Sequence, residues 1–95
     1  MTEPVRWRLS PNQRLVFEDF DDGIVVFDTL VGGTHLVNAT AAEALAVIED
    51  TPGLSAAQIH AQLLARLQIG PDALPIEAVD QLLVRLADLN FVAAA

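Results

Sequence analysis

The change of hydrophobic period at Asn38 constrains this chain more than any other feature. Before it, β-forming residues sit in short stretches punctuated by glycine; after it, apolar residues recur every three to four positions. A small sheet followed by helices, an α+β class, is the expected plan. Leu15 to Phe20 and Gly23 to Asp28 meet at Asp21-Asp22-Gly23, where Asp22-Gly23 is a strong two-residue hairpin signal because a type I′ turn needs positive φ. A second reversal at Gly32-Gly33 leads into Thr34 to Asn38. The stretch Thr29 to Gly33 also fits a longer loop, and the strand register stays open between the two. Three antiparallel strands result. Val5 to Leu9 is extended in character, is set apart by Ser10-Pro11-Asn12, and is expected as a short outer strand.

Three helices follow. Thr40-Ala41-Ala42-Glu43 has the pattern of a capping box, opening a helix to about Glu49 with Ala41, Leu45 and Ile48 on one line; Thr51-Pro52-Gly53 ends it. Ser55-Ala56-Ala57-Gln58 is a second capping box, opening a helix to about Gln68 along Ile59, Leu63 and Leu67, stopped by Gly70-Pro71. The third helix starts near Pro75 or Ile76 and runs to about Leu89, with Ile76, Val79, Leu83 and Leu86 as its seam and Leu82 and Leu89 widening it. At 100° per residue its apolar arc spans roughly 160°, more than a helix resting on one neighbour needs, so part packs the core and part borders a groove. Phe91 and Val92 are expected to fold back as a C-terminal anchor.

Ninety-five residues suit a single domain spanning 1–95, because two cores would leave each half too small to stand alone. No apolar run approaches the roughly 18 residues of a membrane span, and Glu3, Arg6 and Arg8 stand where a signal peptide needs an apolar segment; a cytoplasmic protein without membrane association is expected. The absence of cysteine removes disulfides, thiolate metal sites and cysteine nucleophiles. Thirteen acids against five arginines give a net charge of −8, which repels phosphate backbones and favours a basic partner over nucleic acid.

The residues that could carry chemistry are better explained structurally. Glu18, Asp19, Asp21 and Asp22 crowd a hairpin tip, but Phe20 and Thr29 occupy positions where a calcium loop needs oxygen ligands; a solvated turn or an acidic docking patch fits instead. His35 and His60 fall on different elements with no carboxylate at metal-ligand spacing. Ser10 and Ser55 sit in turn and cap contexts without a nucleophile elbow. Gly32-Gly33 precedes a strand and lacks a following Lys-Ser or Lys-Thr, so it is a turn and not a phosphate loop. Trp7, Phe17, Phe20, Phe27 and Phe91 are expected as core or strand-face residues, and the basic-aromatic opening Arg6-Trp7-Arg8 is short and isolated, a partner contact being its minor reading. No catalytic, metal or cofactor site is predicted, and the chain is read as non-enzymatic.

What remains is backbone chemistry. A three-stranded sheet has two edges, and an edge strand offers unpaired N–H and C=O groups to an incoming chain. In a winged helix-turn-helix-like arrangement Thr34 to Asn38 stands near the third helix, leaving room for an extended peptide between them. The competing expectation is an edge covered by Val5 to Leu9 or by a second copy in a homodimer.

The run Gly23-Ile24-Val25-Val26-Phe27-Asp28, then Gly33-Thr34-His35-Leu36-Val37-Asn38, then Ala41-Ala42-Glu43-Ala44-Leu45 resembles the PqqD-like peptide chaperones, also called RiPP recognition elements, and especially their branch in HPr-rel-A gene systems. The resemblance extends from about Trp7 to Val92. It implies a winged helix-turn-helix of three strands and three helices that binds the leader of a ribosomally made peptide as an added strand. The bound leader is then presented to a modifying enzyme or an HPr-kinase-like protein. Carried over by position, it points to Thr34, His35, Leu36 and Val37 as peptide-binding, with Asp80, Leu83, Val84 and Ala87 facing them. Two other readings compete, a DNA-binding winged helix and a self-associating structural subunit. Glu77, Asp80 and Asp88 against the single Arg85 oppose the first, since recognition helices need basic and amide side chains.

Overall fold

The glycine-bounded stretches pair as a meander. A computed structural model describes residues 4–10, 15–20, 23–28 and 34–94. Strand β1 is Arg6–Leu9, β2 is Leu15–Phe20, β3 is Gly23–Asp28 and β4 is Thr34–Val37. β2 and β3 pair antiparallel from Leu15↔Asp28 to Phe20↔Gly23, and β3 and β4 from Ile24↔Val37 to Phe27↔Thr34. The register left open by the sequence is therefore set, with β3 central in the order β2-β3-β4. Gly23 belongs to the strand; Asp21-Asp22 and the whole reversal from Thr29 to Gly33 lie outside the described residues. Along β2, Phe17 turns toward the core while Val16 and Glu18 are exposed, as a period of two requires.

β1 does not extend this meander. It is the middle strand of a second sheet, between β5 (Leu54–Ser55) and β6 (Val92–Ala94), with Trp7↔Leu54 on one side and Leu9↔Val92 on the other. The reason lies far along the chain. Gly53, at φ 91, turns its amide to the Trp7 carbonyl at 2.8 Å and its own carbonyl to Arg6 Nη1 at 2.9 Å. A residue with a Cβ rarely adopts that φ. Ser10 N–H donates to the Phe91 carbonyl at 3.0 Å, tying the other end.

Helix α1 is Ala39–Asp50, α2 is Ala56–Leu67 and α3 is Ile76–Asp88. The expected Thr40 capping box does not form. Asn38 is the cap, its Oδ1 accepting from Ala41 N–H at 2.8 Å, while Glu43 is turned to Arg66 on α2 at 3.5 Å. Strand pairing reaches Val37, so Asn38 is the first residue free to turn the chain, and the long-range ion pair takes the carboxylate the box would use. The Ser55 box forms as expected, with Ser55 N–H donating to Gln58 Oε1 at 2.9 Å and Gln58 N–H to Ser55 Oγ at 3.3 Å. α2 ends at Gln68 in the left-handed region (φ 56), before Gly70-Pro71 is reached. α3 closes in a Schellman motif: Asn90 has φ 65, its N–H donates to the Ala87 carbonyl at 3.0 Å, and Phe91 N–H donates to the Leu86 carbonyl at 2.9 Å.

That cap turns Phe91 and Val92 back into the core, where both are buried beside Leu45, Ile48, Ile59, Leu63, Val79, Leu83 and Val26. α1 is the central element. It buries Ala41, Ala42, Ala44, Leu45, Val47 and Ile48, on more than one face, and touches α2, β1 and β3. The result is an α+β fold of a three-stranded antiparallel sheet and three helices, joined by the small second sheet. Among the described residues no helix is long and apolar enough to cross a membrane.

Candidate functional site

β4 pairs with β3 along one side, and no described strand pairs along the other. Val5 to Leu9, the expected intramolecular cover, is committed to the second sheet. Among the described residues, then, the outer side of β4 is a sheet edge, the kind of backbone another chain can pair with. β2 is the opposite edge, and it carries exposed Glu18, a charge of the kind that discourages edge pairing.

The broad apolar arc of α3 divides into three sectors. Val79, Leu83 and Leu86 are buried in the core. Ala78, Leu82, Arg85 and Leu89 form one flank, which faces the end of β4 and the first turn of α1. A cavity of about 340 Å³ lies there between Asn38, Thr40, Leu74, Ala78, Gln81, Leu82 and Arg85. A second of about 320 Å³ lies between Val37, Asn38, Ala41, Leu82, Arg85, Leu86 and Leu89. Asn38, Leu82 and Arg85 line both, so the two are one groove. From Ala78 to Leu89 it runs roughly 16 Å along the helix axis, room for about five residues of extended chain.

Of the residues expected to meet a peptide, Val37 lines this groove. The backbone of Thr34, His35 and Leu36 forms the edge strand, opposite Phe27, Val26 and Val25, and their side chains lie outside the described residues. The expected helix face is differently placed. Leu83 is fully buried in the core, Ala87 packs half-buried against it, and Asp80 and Val84 line another cleft on the far flank. That cleft, about 450 Å³, lies against Pro4, Val5, Trp7, Ser55, Ala56 and Ala57. Leu82 and Val84 lie about 100° to either side of Leu83, so the periodicity locates the core seam but not which flank meets β4. Leu82 and Leu89, the leucines that widen the seam in the sequence, are the ones that line this groove.

The α2–α3 connection is held in place by His60. Its Nε2 is 2.6 Å from the Leu74 carbonyl, to which an Nε2–H tautomer donates, and this fixes the residue that bounds one end of the groove. Electrostatically the groove differs from the rest of the chain. Its described lining contains no Asp or Glu, and Arg85 is its sole formal charge. Arg66, by contrast, bridges Asp50 at 2.9 Å and Glu43 at 3.5 Å, and the hydrogen bond it donates to Asp50 raises its already high pKa. Among the described residues no group of three or more His, Cys, Asp or Glu is placed to hold a metal ion. No protein-family model, no curated protein and no solved structure matches the chain.

Proposed function

We propose that this domain is a peptide-binding recognition module that holds an extended peptide as a fourth strand on β4, with alternate side chains lying in the groove against α3. In the manner of the PqqD-like leader chaperones that the sequence resembles, the peptide is the leader of a ribosomally made precursor. The domain presents it to a modifying enzyme in the cytoplasm and is not itself a catalyst. The observation that carries this reading is a strand edge that no described strand pairs with, beside a groove of mixed lining in which Val37, Leu82, Leu86 and Leu89 alternate with Asn38 and Arg85: backbone pairing supplies affinity, and the pockets supply selection. Duplex DNA is a poorer occupant, because exposed Glu77, Asp80 and Asp88 surround the single arginine of α3.

The test is a backbone-amide NMR titration with octapeptides selected by display against the domain. Binding as proposed slows hydrogen exchange along Thr34 to Val37 and leaves β2 unprotected. Protection of β2 instead, or of neither edge, rejects it. Sedimentation across concentration separates peptide addition from pairing between two copies, since a homodimer through β4 would gain the same protection without any peptide.

A further inference from the structure

The groove holds a charge that the rest of the protein leaves unmatched. Thirteen acids and five arginines make pairing easy for any arginine in this chain. Arg66 takes two carboxylates and Arg6 donates to the Gly53 carbonyl, while Arg8, exposed on β1, makes no ion pair or side-chain hydrogen bond among the described residues, so what sets Arg85 apart is its place in the groove. Arg85 is exposed and makes no ion pair or side-chain hydrogen bond among the described residues, although Asp88 stands one turn along the same helix. It lines both halves of the groove, flanked by Leu82 and Leu89, and no described acid shares the lining. A guanidinium in that setting lacks a planar acceptor, and a carboxylate can meet it in a bidentate, charge-assisted pair.

The geometry points to a selection rule: we propose that the groove prefers extended peptides in which an Asp or Glu is flanked by apolar residues two positions away on each side, the carboxylate meeting Arg85. The spacing follows from the two repeats. Leu82 to Leu89 covers about 10 Å of helix axis, while residues i, i+2 and i+4 of a strand, all on one face, cover about 13 Å. Leucine and glutamate side chains absorb the difference. This inference rests on the reading of the groove as a peptide site, and it reverses the expectation from net charge alone. The −8 of the whole chain steers basic partners at long range, whereas contact selection is made by the groove's own lining.

Selection of random dodecapeptides by mRNA display, against the wild-type domain and against Arg85→Glu and Arg85→Gln, decides it. Because Arg85 is exposed and unpaired, circular dichroism should be unchanged in both variants, with melting unchanged in Arg85→Gln and slightly lowered in Arg85→Glu, where an acid enters the last turn of α3 beside Asp88. The wild type should enrich the apolar-x-acid-x-apolar pattern. Arg85→Glu should place Lys or Arg at the acid position and bind a wild-type-selected peptide at least tenfold more weakly, with Arg85→Gln in between. Enriched peptides that lose binding to Leu89→Asp yet show no acidic position, or an acid preference that persists in Arg85→Glu, would overturn the selection rule and leave the groove standing. No enrichment over background would overturn the groove and the rule together.

Discussion

The two flanks of α3 border clefts with different neighbours. The cleft beside Asp80 and Val84 is closed on its other side by the N-terminal strand and the start of α2, so its neighbours are already paired in the second sheet. The groove beside Leu82, Arg85 and Leu89 opens onto β4, whose outer edge no described strand occupies. Apolar exposure is present on both, with Val84 56% and Leu89 41% exposed. Exposure therefore does not distinguish them. What does is whether unsatisfied backbone lies alongside, because an edge strand offers directional pairing that an apolar surface alone cannot.

This comparison can be broken at its hinge. Leu83 lies in the core sector of α3, and Leu83→Ala should cost about 2–5 kcal/mol in urea unfolding. A loss below about 1 kcal/mol would mean that the helix is rotated and that the flanks exchange roles. Next in size is a matched pair on the flanks. Leu89→Asp should weaken a display-selected peptide about tenfold or more, equivalent to about 1.4 kcal/mol, while Val84→Asp leaves its affinity unchanged. Equal losses in fluorescence polarisation would erase the distinction.

Smaller effects sharpen the picture at the groove's rim. Asn38→Ala should destabilise the fold by about 1 kcal/mol through loss of the α1 cap, and Thr40→Ala should stay within about 0.5 kcal/mol, as thermal unfolding would show. The reverse ranking would restore the Thr40 box. Smallest is the arginine contrast. Arg66→Ala should cost at most about 1 kcal/mol, shrinking in high salt, because both its pairs are solvent-exposed. Arg85→Ala should leave the melting temperature alone and act only on ligand.

The local signals in the sequence were accurate where neighbours in the chain supply the physics. The boundaries of β2 and β3 follow from β-formers and a turn, the α2 cap from Ser55 and Gln58, and the return of Phe91 and Val92 from apolar residues just past a helix end. They failed where two local solutions compete. Asn38 and Thr40 are both good caps, and the Arg66 side chain, 23 residues beyond Glu43, helps decide between them. The helix face expected against β4 failed for a related reason: hydrophobic periodicity gives the direction of the core but not which neighbour sits on either side of it.

By itself, then, the sequence determined an α+β domain with strands first and helices after, because alternation and 3.6-residue periodicity are properties of consecutive residues. Only the tertiary structure decided that β1 leaves the meander to join residues 54–55 and 92–94, that no described strand covers the outer side of β4, and that Arg85 rather than Asp80 shares a groove with Val37. Those outcomes depend on pairings 47 to 87 residues apart (Trp7↔Leu54, Trp7↔Ala94). Over such distances, it is packing that selects one arrangement among several of equal local merit.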